Sequence, residues 1–239
     1  MVRIWVLLFF CLAVSFASAA NDANTPPTKP DTGYDYDALT ARIAAGRATI
    51  GEVRRALTDT DAGRLTNTVH ALYSMRWHRE VVHLILDMWN LQTAKYPELS
   101  WELLKKPPVR IALASTVSRI QVAHIGKYLD YIRSHEHDKQ EFIRAQVVVG
   151  LGLNGYKEDV PYIKSMAESD DHYVVQSAIA SLGFMQSGAA KDALEELWFE
   201  FRGTPRQELI EVVLKKVYRL VPEERPKQPS KADSDTDKK

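Results

Sequence analysis

From Phe142 to Leu197 one helical-hairpin pattern is written twice, 31 residues apart. The first copy runs Ile143-Arg144-Ala145-Gln146-Val147-Val148-Val149-Gly150-Leu151-Gly152, passes Asn154-Gly155, and continues as Asp159-Val160-Pro161-Tyr162-Ile163-Lys164-Ser165-Met166. The second runs Val174-Val175-Gln176-Ser177-Ala178-Ile179-Ala180-Ser181-Leu182-Gly183, passes Ser187-Gly188, and continues as Lys191-Asp192-Ala193-Leu194-Glu195-Glu196-Leu197. Leu151 aligns with Leu182, Gly152 with Gly183, Ile163 with Leu194 and Met166 with Leu197. Units of this kind cannot bury their apolar faces alone, so they stack into a solenoid that offers a concave surface to something else.

Outward from this pair the same organisation recurs. Leu65, Val69, Leu72 and Met75 followed by Val81, Val82, Ile85, Met88 and Trp89 form one hairpin; Ile111, Ala114, Val117 and Ile120 followed by Ile125, Tyr128, Leu129 and Ile132 form another. The pattern predicts helices over 37–45, 50–58, 62–75, 79–95, 99–105, 109–122, 124–135, 139–152, 158–168, 171–184, 188–202 and 205–220. Thr49-Ile50-Gly51-Glu52 reads as a capping box, as does Thr204-Pro205-Arg206-Gln207, and Pro107-Pro108 reads as a stop for what precedes it. No segment has the alternation of a strand, so the fold class is all-α.

Small residues in the first helix of each unit, Ala145, Gly150 and Gly152, then Ala178, Ala180 and Gly183, allow close helix approach. Together with the Arg, Ala and Leu-Gly framework, they resemble the HEAT repeat, in the short bacterial variety also found in phycobilin lyases. The resemblance covers roughly the last 100 residues well and the preceding segment loosely. It implies a right-handed α-α superhelix of about four hairpins plus a capping helix over 35–221. A HEAT-repeat enzyme, deoxyhypusine hydroxylase, holds iron through several repeated His-Glu pairs; this chain has only His135-Glu136, so that likeness fails.

The first residues read as a secretory signal over 1–19: Arg3, an apolar run Ile4–Phe16 of 13 residues, then Ala17-Ser18-Ala19. A membrane anchor needs about 20 apolar residues, so cleavage and no stable membrane insertion are expected. Removal also takes the single cysteine, Cys11, and with it any thiol chemistry. The 31 basic and 31 acidic residues become 30 and 31 without Arg3, a net of −1, which offers no basic field for nucleic acid. Pro26, Pro27, Pro30 and Gly33 mark 20–34 as a disordered linker, and Pro222, Pro226 and Pro229 open a polar tail over 222–239.

Nothing in the sequence forms a recognisable catalytic or metal motif. His78 and His83 lie five apart, about 140° around a helix, unlike the paired ligands of a zinc helix; His135-Glu136-His137-Asp138 reads as a polar turn. Trp77, Trp89 and Trp101 fall at intervals of 12 with Tyr73 and Tyr96 nearby, which would suit a sugar-stacking or peptide-binding groove; the core reading is preferred, because Trp89 continues the apolar face of Val82, Ile85 and Met88, with Trp101 the least obviously buried. No cofactor is expected. The leading functional reading is an exported, non-enzymatic module that binds a protein or peptide in the cell envelope, in periplasm or outside it. Its rival is an envelope enzyme of lyase or polymer-hydrolase type. The expected contact face lies on the second helices at His83, Asp87, Asn90, Lys127, Asp130, Tyr131, Lys164, Glu195 and Glu196. Positions on the opposite helices, such as Arg119 and Gln146, are expected to matter little.

Overall fold

The computed structural model describes residues 34–220. The signal, the tail and all of the linker but Tyr34 lie outside the described residues. Within them every regular element is helical: α1 (Tyr36–Ala44), α2 (Ile50–Ala56), α3 (Ala62–Ala71), α4 (Arg79–Trp89), α5 (Trp101–Leu104), α6 (Pro107–Ile120), α7 (Ile125–Arg133), α8 (Glu141–Asn154), α9 (Val160–Met166), α10 (His172–Met185), α11 (Gly188–Glu200) and α12 (Pro205–Val213). None is long and apolar enough to cross a membrane.

The starts are set by side chains that take up otherwise unpaired backbone N–H groups. Asp35 accepts from Ala38 N at 2.9 Å, Asp61 from Arg64 N at 2.8 Å, Asp171 from Val174 N at 2.9 Å and Ser187 from Ala190 N at 3.2 Å. The capping box at Thr49 and Glu52 forms in full. The one expected at Thr204 does not: its hydroxyl donates instead to the Phe201 carbonyl at 2.7 Å, and Gln207 accepts from Gly203 N. Pro107 and Pro108 open α6, where a first-turn N–H has no partner to lose, and the segment before them has left the helix by Lys106, which is extended. The helix expected over 79–95 ends at Trp89, where Asn90 caps it and Leu91 turns left-handed at φ 55°.

The two repeat copies also turn alike. Gly155 ends α8 at φ 76°, and Gln186, 31 positions later, ends α10 at φ 46°. Gln186 is therefore the counterpart of Gly155, and Ser187-Gly188 is not: Ser187 already caps α11. Leu151, Leu182, Ile163 and Leu194 are all fully buried.

Helices α1, α3, α6, α8, α10 and α12 pack each on the next, while α9 and α11 pack together beside them, as do α2 and α4. Between α8 and α10 the approach is tight at Gly152, where a Cβ would lie 2.4 Å from that of Ser181. Helix α6 is buried from Ile111 through Ser118. Two of its hydroxyls reach its neighbours' backbones, Thr116 donating to the Val69 carbonyl at 3.0 Å and Ser115 to that of Gly150 at 3.3 Å, while Ser118 lies 2.9 Å from the Ser115 carbonyl and 2.7 Å from Asn154 Oδ1.

Candidate functional site

The residues expected to form a binding face sit on α4, α7, α9 and α11. His83 on α4, Asn90 at its C-cap, and Lys127 and Asp130 on α7 are exposed. Others are engaged within the molecule. Asp87 pairs with Lys95 at 3.0 Å and accepts from the Tyr96 hydroxyl at 3.2 Å. Tyr131 is half-buried, edge-on to Trp89 at 5.6 Å and beside His135 at 4.9 Å, and burial pushes its phenol pKa up against the opposing charge of Arg110. Lys164 and Glu196 meet at 2.7 Å across α9 and α11, and Glu195 lies 3.7 Å from Lys191. Asp87 and Tyr131 thus help hold the fold as well as facing outward. The His135 imidazole contacts the Tyr131 carbonyl at 3.0 Å within its turn. Among the described residues no three His, Cys, Asp or Glu side chains gather as a cation site.

The tryptophans divide differently from the sequence reading. Trp101 is buried, its indole N–H donating to the Tyr96 carbonyl at 2.7 Å. Trp77 is 81% exposed. It sits just beyond the short 3-10 turn Leu72–Met75 that extends α3, with the Arg76 guanidinium 5.0 Å from its ring.

Around this tryptophan lies a cluster that the sequence reading set aside. The Arg76 guanidinium stands 4.5 Å from the Tyr73 ring centroid, and that of Arg119, from the end of α6, stands 4.2 Å from the same ring. Arg119 donates Nε–H to the Ser115 carbonyl at 3.0 Å, but its Nη2 is shielded from solvent without a hydrogen-bond partner. Arg76 donates Nη1–H to the Tyr73 carbonyl at 3.2 Å. Neither arginine has a carboxylate partner among the described residues, whereas Arg64 holds Asp59 at 2.7 Å and Arg133 holds Asp159 at 2.8 Å. Burial lowers the Arg119 pKa to about 10, with the charge of Arg76 acting in the same direction against the Tyr73 contribution; the side chain stays cationic at neutral pH.

His70 on α3 closes the cluster. Its Nε2 lies 3.3 Å from Gln146 Oε1 on α8, a link that spans α6, and its Nδ1 is shielded and without a partner. Burial first, then the charge of Arg119, pushes the imidazole down to about 3, so it is neutral at physiological pH. The sequence signal for this cluster was local: Tyr73, Arg76 and Trp77 interleave aromatic and basic side chains. Arg119, 46 positions after Tyr73 and at the end of an apolar helix, carried none.

Comparison with protein-family models, with curated proteins and with solved structures gives no match for this chain.

Proposed function

We propose that this protein is an exported, non-enzymatic helical-repeat module that binds a protein or peptide in the cell envelope. Its helices would continue the hairpin stack into a right-handed α-α superhelix of HEAT type, with the second helices presenting a continuous face. The observation that carries the reading is the Lys164–Glu196 contact at 2.7 Å. Polar positions on successive second helices are neighbours in space, the arrangement a partner needs if it is to run across several units. Trp89 against Tyr131 supplies the same continuity between α4 and α7. The short apolar run at Ile4–Phe16 followed by Ala17-Ser18-Ala19 supports export.

The test uses the exposed pair on α7. Full-length protein is expressed for export and used to capture partners from envelope extract, alongside Lys127→Glu with Asp130→Lys, which should melt like the parent. A partner retained by the parent and lost by the double variant supports the reading. Equal retention, or an exported mass that still includes residues 1–19, overturns it.

A further inference from the structure

We propose that Arg76 and Arg119, framed by Tyr73 and Trp77, form a binding site for a carboxylate carried on a peptide next to an apolar residue. This site lies on the first-helix side of the molecule, apart from the face argued above, and does not depend on that face.

The first argument is charge. Two guanidiniums lean on one aromatic ring with no carboxylate among the described residues to balance them, although two like charges so placed repel. Among the other partly buried arginines, Arg64 is balanced by Asp59 and Arg133 by Asp159, while Arg206 and Arg110 each reach two backbone carbonyls, Arg206 those of Ala167 and Ser169 at 3.1 and 2.8 Å and Arg110 those of Trp89 and Met88 at 3.0 and 3.4 Å. Arg76 and Arg119 each use one hydrogen-bond donor on a nearby carbonyl, and the guanidinium fork leaves others matched to a carboxylate. The shielded, unpartnered Arg119 Nη2 is a donor whose unmet hydrogen bond costs stability in the free protein. A ligand oxygen reaching it on a small shift of the Tyr73 ring would remove that cost.

The second argument is the surroundings. An indole left 81% exposed beside Arg76 offers an apolar plate at the edge of the charged pair. Tryptophan and arginine together are the side chains that most often dominate peptide and protein contacts. A bare inorganic anion would use the arginines and leave Trp77 idle. A nucleic acid would need a string of cations, and the chain's basic and acidic residues balance at 31 each. The occupant that uses the charge and the plate together is a peptide with a carboxylate flanked by an aromatic or aliphatic residue.

The experiment titrates the full chain with four probes, followed by calorimetry and tryptophan emission: acetyl-Gly-Phe-Glu-Gly-amide, the same peptide with Gln for Glu, acetyl-Gly-Gly-Phe with a free C-terminal carboxylate, and sodium phosphate. Binding of the Glu peptide, the free-carboxylate peptide, or both supports the site, and their order shows whether a side chain or a chain terminus supplies the group. Loss of the charged hydrogen bonds should weaken binding about tenfold with the Gln peptide and with Arg76→Gln. Arg76→Lys should recover part of it, and Trp77→Ala should abolish the emission change while weakening binding. Arg119→Lys serves as the second variant, because it keeps the charge in a packed position and loses the fork; it should also weaken binding. The proposal is overturned if neither carboxylate peptide binds, if the Glu peptide binds and the Gln peptide binds as tightly, if phosphate binds more tightly than both carboxylate peptides, or if Arg76→Gln binds like the parent.

Discussion

Gly152 of α8 faces Ser181 of α10 so closely that a Cβ on the glycine would lie 2.4 Å from the serine Cβ and 2.9 Å from its Cα. The obstacle includes backbone, so no rotamer change relieves it. Gly152→Ala should therefore force the two helices apart and cost about 1–3 kcal/mol. Gly150, two residues earlier, has nothing nearer than 3.5 Å. There the better helix propensity of alanine should win, with a gain of about 0.5–1 kcal/mol. Paired denaturant melts check the contrast, and two variants of equal stability would contradict it.

Gln186 occupies the left-handed position that Gly155 fills in the preceding unit. A residue with a Cβ costs about 1–2 kcal/mol there relative to glycine. Gln186→Gly should raise stability by about 1 kcal/mol, and the same change should leave the ends of α10 and α11 in place by hydrogen exchange. A drop in the melting temperature would show that the Gln186 side chain contributes contacts that outweigh the backbone strain.

His70 makes the stability depend on pH. An unfolded histidine takes up its proton near 6.5, while burial beside Arg119 holds the folded one near 3. Between those values the unfolded chain binds more protons, so stability is complete above about 6.5 and falls as the pH is lowered. The contribution reaches about 1.4 kcal/mol per pH unit. The charge that bears on it is that of Arg119, cationic throughout this range, and its hydrogen-bond partner Gln146 does not titrate. His70→Gln should melt with a shallower acid dependence than the parent between pH 6.5 and 4; parallel curves would remove His70 from the account.

Leu182 is fully buried at the position matching Leu151. Leu182→Asp places an unpaired carboxylate in the interface of α10 with its neighbours, at a cost of several kcal/mol, and the damage should spread to α8 and α12, which pack on α10. Loss of exchange protection across Glu141–Val213 is expected; a native melt would mean the charge has found water.

Periodicity made the helices legible. Helix α10 was expected over 171–184 and spans His172–Met185, and the buried identities of Leu151, Leu182, Ile163 and Leu194 follow from their offset alone. Breaks were harder to see. The π turn Leu214–Tyr218 that follows α12 lies in a run whose apolar spacing continues unchanged, and the left-handed turn at Leu91 falls at a residue that is not itself a turn former, so neither break is marked by side-chain type. The arginine cluster was hidden for a different reason. Tyr73, Arg119 and Gln146 come from three helices, and no local pattern encodes which distant side chains share a ring. The same limit made Asp87 look free when Lys95 and Tyr96, beyond the break at Leu91, fold back onto it.

Helix α6 receives α3 and α4 on one side and α7 and α8 on the other, and its own polar side chains are tied to Val69 and Gly150 of those neighbours. The N-terminal helices thus communicate with the repeated pair chiefly through one rod without a free face. Loosening the rod would not simply weaken the molecule. It would divide one cooperative folding unit into two that melt on their own schedules, and the middle of the chain, rather than either end, decides whether the protein behaves as a single body.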